Sequence, residues 1–327
     1  MILRTQQVLF RDSEPREKWF NSPVTFYEGN LVDIRDHVPK FERRGFGLTQ
    51  ADKQISRLNE RLDMIVRKPF GEDKFFVPVG VVSKDYVLVQ HNDVLDFAVA
   101  ALDEAKIILS DVKAELKITE YGERMTLSLY LPKKYTFDPG DGHPMALRLE
   151  CLNSVDGSTR FRVLMGWFRF VCSNGLVIGV TRSDFRRRHV GDLQLSDIGE
   201  VLTSGLNESE AEKNSLAKWR TVEIKRDQIA RWVDKDLRKE MGFKAAARTF
   251  HIACTGCDAD VAGKYKDSTP TTIAMKKTKP VRGAPTECRN LFDLSQILAW
   301  LAKERRDLQE QLEWREKIPD LMDSLQN

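Results

Sequence analysis

A chain of 327 residues with 41% hydrophobic composition can bury a sizeable core in one large domain or two ordinary ones, which excludes a disordered or peptide-like molecule. Its 52 Lys and Arg stand against 49 Asp and Glu, so the net charge of +3 announces no partner, and any basic surface must come from local clustering. No segment approaches the roughly 20 apolar residues of a membrane span, the N-terminus MILRTQQVLFRDSEPREKW lacks the apolar run of a signal peptide, and five cysteines are few and odd in number, so a cytoplasmic, reduced setting is expected.

After an N-terminal arm over 1–48, Thr49 is placed to cap a helix in which Ala51, Ile55, Leu58, Leu62 and Ile65 recur at helical spacing, with Asp52 completing a capping box and Pro69 and Gly71 closing it. FFVPVGVVSKDYVLVQHND reads as two short strands around a Ser-Lys-Asp turn. Asn92 then caps a helix with Leu95, Ala98, Leu102, Ala105 and Leu109 on one face. From Glu115 to about Val180 the period changes to two, and ELKITEY, MTLSLYL, ALRLECL and TRFRVLMGWFRFV predict the strands of an antiparallel meander, with hairpin signals at Tyr121-Gly122 and at Asp156-Gly157-Ser158.

Leu216, Trp219, Ile229, Trp232, Val233 and Leu237 predict a long charged helix that breaks around Thr221-Val222-Glu223-Ile224. Residues 264–286, rich in Lys, Thr, Pro and Gly, are expected to be a basic flexible loop. Over 287–327, Leu294, Leu298, Leu301, Leu308 and Leu312 follow a heptad-like seam containing Arg305, with Pro319 leaving a short tail helix. That seam packs a core in the simplest reading and joins chains into a homo-oligomer in the other. The expected class is α+β, an antiparallel β-meander packed on one face against helices, in a core domain over 49–263 followed by the loop and a long C-terminal helix.

WFRFVCSNGLVIG, Trp167 to Gly179, holds Cys172 and Ser173 beside a turn, which suggests a nucleophile with His189 as its base. Hairpin geometry explains the motif more simply, because Asn174-Gly175 suits a type I′ turn and the flanking apolar runs suit paired strands. His251, Cys254 and Cys257 form H-x-x-C-x-x-C, with Cys288 as a distant fourth donor. Zinc is therefore a candidate cofactor, against the expected reading of ordinary reduced cysteines and no cofactor. Glycine-rich phosphate loops are missing from the sequence, which argues against an ATPase or dinucleotide enzyme.

The electrostatic signal is stronger. Arg160, Arg162, Arg169, Arg182, Arg186, Arg187, Arg188 and His189 are interleaved with Trp167, Phe168, Phe170 and Phe185, and Asp184 is the one acid among them. Guanidinium groups suit phosphates, and aromatic faces suit unstacked bases. A second cluster, Lys264, Lys266, Lys276, Lys277, Lys279 and Arg282, lies in the expected loop. The competing reading is a solvated arginine face over an aromatic core.

WFRFVCSNGLVIG, LECLNSVDGSTRFRV, RRRHVGDL, VPVGVVSKDYVLVQHNDVL and NLFDLSQILAWLAKER occur in an order that resembles the phage and plasmid-like family called domain of unknown function 932. The resemblance covers roughly residues 75 to 305 and includes Asp156 to Ser158, Arg169, Cys172, Asn174 and Arg186 to His189. Residues 1 to about 70 and the loop from Lys264 to Pro285 have no claimed counterpart. It implies a phage, prophage or plasmid context and no established reaction. The expectation is a nucleic-acid-binding accessory protein that holds single-stranded DNA in replication, recombination or annealing, with Arg169, Arg182 and Arg186 to Arg188 on phosphates and Trp167 or Phe185 on a base. A module that binds proteins of a host defence system, and an enzyme using Cys172 and His189 or zinc, are the alternatives.

Overall fold

The structure is a computed structural model and describes residues 18–20, 22–47, 58–140, 142–169, 184–187, 189, 195–281 and 283–326. Strands β1 (Lys18–Trp19) and β2 (Ser22–Gly29), helix α1 (Leu31–Arg35) and strands β3 (Phe41–Gly47), β4 (Leu58–Arg67) and β5 (Val77–Ser83) lead into α2 (His91–Glu104). Then come β6 (Lys113–Thr119), β7 (Arg124–Tyr130), β8 (Thr136–Phe137), β9 (Met145–Ser154), β10 (Phe161–Arg169) and β11 (Asp184–Arg187). Helices α3 (Asp197–Thr221), α4 (Arg226–Trp232), α5 (Arg238–Met241) and α6 (Phe243–Thr255) precede β12 (Cys257–Val261) and β13 (Met275–Pro280). Helices α7 (Leu291–Lys303), α8 (Leu308–Glu316) and α9 (Ile318–Gln326) follow, so the class is α+β, as the patterning predicts. The described residues divide into two units, the first within Met1–Tyr135, Arg148–Met165 and Arg182–Asn207, the second within Thr136–Leu147, Gly166–Thr181 and Glu208–Asn327.

In the first unit the meander is present, with β6, β7, β9 and β10 adjacent in that order. Leu116 pairs with Leu127 and Leu127 with Cys151, while Ala114, Leu129 and Leu149 form the next row, and all six are buried. Such cross-strand rows are what apolar alternation produces once register is set. The opposite face carries Tyr130, Arg148, Glu115 and Glu150. There Arg148 donates to Tyr130 Oη at 3.0 Å and pairs with Glu150, and Tyr130 donates to Glu115 at 3.0 Å. Helix α2, from before the meander, docks through His91 on Asn153 of β9, and α3, from after it, brings Gly205 against Met165 of β10. The sheet also gains β2 from the expected N-terminal arm, paired along β6 from Val24↔Thr119 to Gly29↔Ala114.

A second, three-stranded sheet of order β3-β4-β5 overturns the helix expected from Thr49. Residues 49–57 lie outside the described set, but Leu58–Arg67 is a strand. Its inner face alternates Asp63, Ile65 and Arg67, all buried, with Asp63 paired to Arg43 and Lys84 and Arg67 to Asp73. Charges on the core side hide the alternation and leave Leu58, Leu62 and Ile65 at a spacing that imitates a helix. Of the two strands expected in FFVPVGVVSKDYVLVQHND, only Val77–Ser83 is one, and Tyr86 begins a nonrepetitive stretch up to α2.

In the second unit, α3 ends at Thr221 and α4 starts at Arg226, where a break was expected. The expected basic loop is partly a strand, since β13 pairs antiparallel with β12. The seam from Leu294 to Leu312 is divided between two helices. Asp307 caps α8 by accepting from Gln309 N at 2.9 Å, and Arg305 sits at the joint, where its carbonyl accepts from Gln311 Nε2 at 2.8 Å and its Nε donates to Glu310 at 2.9 Å. Helix α7 is buried on every side, which is why it reads as apolar all round. Among the described residues no helix is long and apolar enough to cross a membrane.

Candidate nucleic-acid interface

The structure places Trp167 and Arg169 of the expected interface in the interior. Trp167 is 4% exposed; its Nε1 donates to Ser209 O at 3.1 Å, and its ring meets Phe137 edge-on at 4.7 Å, so neither face is free for a base. Arg169, equally buried, donates to Gln296 Oε1 at 3.3 Å and lies over the Phe292 ring at 5.6 Å, where a phosphate cannot reach it. Phe185, Arg186 and Arg187 belong to β11, whose backbone pairs with β10 from Phe161↔Arg187 to Leu164↔Asp184. Arg182, Arg188, Cys172, Asn174 and Gly175, with the expected hairpin tip, lie outside the described residues.

His189 is also interior. Its Nδ1 donates to Val87 O at 3.2 Å, its own carbonyl accepts from Val87 N at 2.7 Å, and its ring stacks on Tyr86 at 5.0 Å. Burial pushes its pKa down, so it is neutral and holds the chain in place rather than binding an anion. Tyr86 Oη donates to Ser154 O at 2.8 Å beside the turn of Asp156 and Gly157, and burial pushes its pKa far up. Asp156 accepts from Ser158 N at 3.0 Å and pairs with Arg124 at 2.6 Å. The motifs around Tyr86, Asp156 to Ser158 and His189, distant in sequence, therefore meet in one structural knot of the first unit.

Among the described residues, the second basic cluster has exposed lysine side chains. Strand β12 follows α6, and its Asp258 is held by both carboxylate oxygens to Arg248 at 2.8 and 2.9 Å. Against it runs β13, in which Lys276, Lys277, Thr278, Lys279 and Pro280 are all exposed. The register slips between Asp258↔Lys279 and Asp260↔Lys276, and Lys277 takes φ 55° at this bulge, which turns it out of the ladder. Asp260 stands opposite Lys276, and Lys279 reaches Glu304 at 3.7 Å, so the ribbon is not uniformly bare charge. Even so, residues 262–281 contain five lysines and one acid, Asp267.

The connection between the strands is ordered by specific contacts. Thr271 donates to Asp234 from its N at 3.1 Å and from Oγ1 at 2.7 Å, and Ile273 is buried. Asp234 lies in a π-helical turn, Val233–Leu237, between α4 and α5. At the head of the connection Lys264 and Lys266 are exposed on either side of Tyr265, which is 53% exposed. The Tyr265 ring rests on Phe243 at 4.6 Å, and Arg238 lies over the Phe243 ring at 5.2 Å. Gly242, with φ 83°, makes the sharp junction of α5 and α6 that presents Phe243. Tyr265, Phe243 and Arg238 were not among the expected site residues; the available signal was an aromatic flanked by two lysines, Lys264-Tyr265-Lys266.

The candidate zinc donors do not form a cage. His251 and Cys254 lie on α6, Cys257 opens β12, and the buried Cys288 donates its thiol to Asn290 O at 3.6 Å. Among the described residues no group of three or more His, Cys, Asp or Glu is placed to hold a metal ion. Burial pushes the thiol pKa of Cys254 and Cys288 up.

These features define an α+β protein of antiparallel sheets carrying a lysine-rich ribbon. The chain belongs to the family described as Domain of unknown function (DUF932), whose match covers residues 78–279. The match runs from β5 through nearly all of β13, so it includes most of the segment after Lys264 for which the sequence suggested no counterpart, and it leaves NLFDLSQILAWLAKER outside. No solved structure matches the chain.

Proposed function

We propose that this protein binds nucleic acid through the β12–β13 ribbon. The observation that carries the reading is the exposed strand of Lys276, Lys277 and Lys279 beside Lys264, Tyr265 and Lys266, in a molecule whose net charge is only +3. A lysine cluster on a short antiparallel ribbon suits a phosphate backbone, which supplies sequence-independent affinity. The role that fits is an accessory one, in replication, recombination or annealing, within the cytoplasm of a cell that carries a phage, prophage or plasmid; the mobile-element setting follows from the resemblance alone, and the cytoplasmic one from the few cysteines.

Titrating salt against binding of short single-stranded and duplex oligonucleotides tests the reading. Affinity should fall steeply with salt, and K276E/K277E/K279E should bind at least about tenfold more weakly at low salt. Equal affinity of the variant and the unaltered protein would remove the ribbon from the interface.

One observation favours a second reading, a protein-docking module. In the first unit Leu58, Phe75, Phe76 and Val81 are exposed at 52%, 77%, 46% and 48% on or beside the three-stranded sheet. Exposed apolar side chains are more typical of protein contacts than of phosphate contacts, although Arg44 lies over the Phe76 ring at 4.2 Å. Salt-indifferent capture of a protein partner, abolished by F75S/F76S and unaffected by the ribbon variant, would favour it.

A further inference from the structure

We infer that the ribbon site takes nucleic acid as an unpaired strand, with Tyr265 as the surface on which a base stacks. This rests on the nucleic-acid reading above and names the form of its ligand. Phe243 has two neighbours: the Arg238 guanidinium lies over its ring at 5.2 Å, and the Tyr265 ring rests against it at 4.6 Å, inclined by 36°. Phe243 backs the Tyr265 ring, while more than half of Tyr265 stays open to solvent. An aromatic ring that is already supported loses little freedom when another flat π system is laid on it, and every base offers such a face.

The charges are placed to match. Lys264 and Lys266 flank the ring in the chain, and Ala262 N bonds Ala274 O, so the lysines of β13 begin two residues beyond the neck of the same connection. A strand whose base meets Tyr265 therefore runs its phosphates among the lysines of the connection and of β13. A duplex offers the same phosphates but keeps its base faces within its own stack, so only an unpaired strand uses both parts of the site. The supporting geometry is local: Asp234, which ties down Thr271, belongs to the π-helical turn that Arg238 directly follows. Single π-helical turns within helices frequently accompany functional sites.

Fluorescence anisotropy on the full-length protein tests this with four probes: a thymidine strand, the same length of abasic strand, the matching duplex, and a uridine strand. The unaltered protein is expected to prefer the thymidine strand to the abasic one by about tenfold, in line with one stacked base. Tyr265→Ala should lose that preference and bind the duplex as before, while Tyr265→Phe should keep it, which separates stacking from misfolding. Tight binding of the thymidine or the uridine strand supports the inference equally, since both present unpaired bases, and the ratio between them tells DNA from RNA. Equal affinity for base-bearing and abasic strands, or a preference that survives Tyr265→Ala, overturns the stacking role and leaves the phosphate reading standing. Binding to none of the four overturns both.

Discussion

At the scale of single residues, His91 links the start of α2 to two other segments. Its Nε2 donates to Gly122 O at 2.7 Å and its Nδ1 accepts from Asn153 Nδ2 at 2.9 Å, so both ring nitrogens are used by the neutral form. Burial pushes its pKa down to about 4. In the unfolded chain a histidine titrates near 6.5, so as pH falls the unfolded state takes up the proton first. The resulting stability is whole above about pH 6.5 and is lost on the way down to about 4, by up to about 3 kcal/mol. His189, also pushed down by burial, acts in the same direction. Urea denaturation at pH 7 and pH 4.5 should show His91→Gln less stable than the unaltered protein at pH 7 but with a smaller acid loss; an identical acid loss would mean that His91 is not a source of it.

Gly80 is a second position where one atom matters. A Cβ built there would lie 2.6 Å from Asp156 Cα, a backbone atom that cannot step aside as a flexible side chain would. Strand β5 packs this closely against the Asp156 turn because residue 80 has no side chain. Gly80→Ala is expected to destabilise by about 1–3 kcal/mol, read as a lower denaturation midpoint. A change within about 0.5 kcal/mol, the range of ordinary surface substitutions, would mean the turn can move away.

At the scale of elements, much of the fold was legible because local pattern and environment agreed. The meander strands alternate around a buried row, and the break between α3 and α4 falls at Thr221-Val222-Glu223-Ile224, where the helical periodicity stops. Legibility failed where charge was paired inside. Asp63 and Arg67 on the core face of β4 disguised a strand as a helix, and β13 consists of Met275, three lysines, Thr278 and Pro280, with no apolar alternation to announce it. It is a strand because β12 supplies a partner. The interface residues show the same limit. Trp167 and Arg169 look like ligand-binding groups by type, but Ser209, Gln296 and Phe292, brought close only by the fold, make them interior.

The joint between α7 and α8 gives an element-scale prediction. Heptad spacing continues through it, and the Asp307 carboxylate starts the second helix by capping Gln309 N. Replacing Asp307 with Ala is expected to lower stability by about 1 kcal/mol, whereas Asn, which keeps an acceptor oxygen, should come close to the original midpoint. Equal losses for Ala and Asn would assign the effect to charge rather than to the cap.

At the scale of the whole molecule, the nearly balanced charge makes electrostatics local. With 52 basic and 49 acidic side chains, attraction for a polyanion must come from where the excess is concentrated, and the stretch from Ala262 to Val281 holds five lysines against one acid. Each phosphate neutralised on a single strand releases counterions worth about 0.7 in the slope of log affinity against log salt. If all five lysines engage, that slope is about −3.5, and K276E/K277E/K279E should reduce its size to about −1.4 or less. Reversing three lysines elsewhere, such as Lys68, Lys74 and Lys106, changes the net charge equally, so a general field effect would flatten the slope as much. The two triple variants therefore separate a site from a bulk charge: only the ribbon variant should lose slope, and matching losses would make the attraction a property of the whole surface.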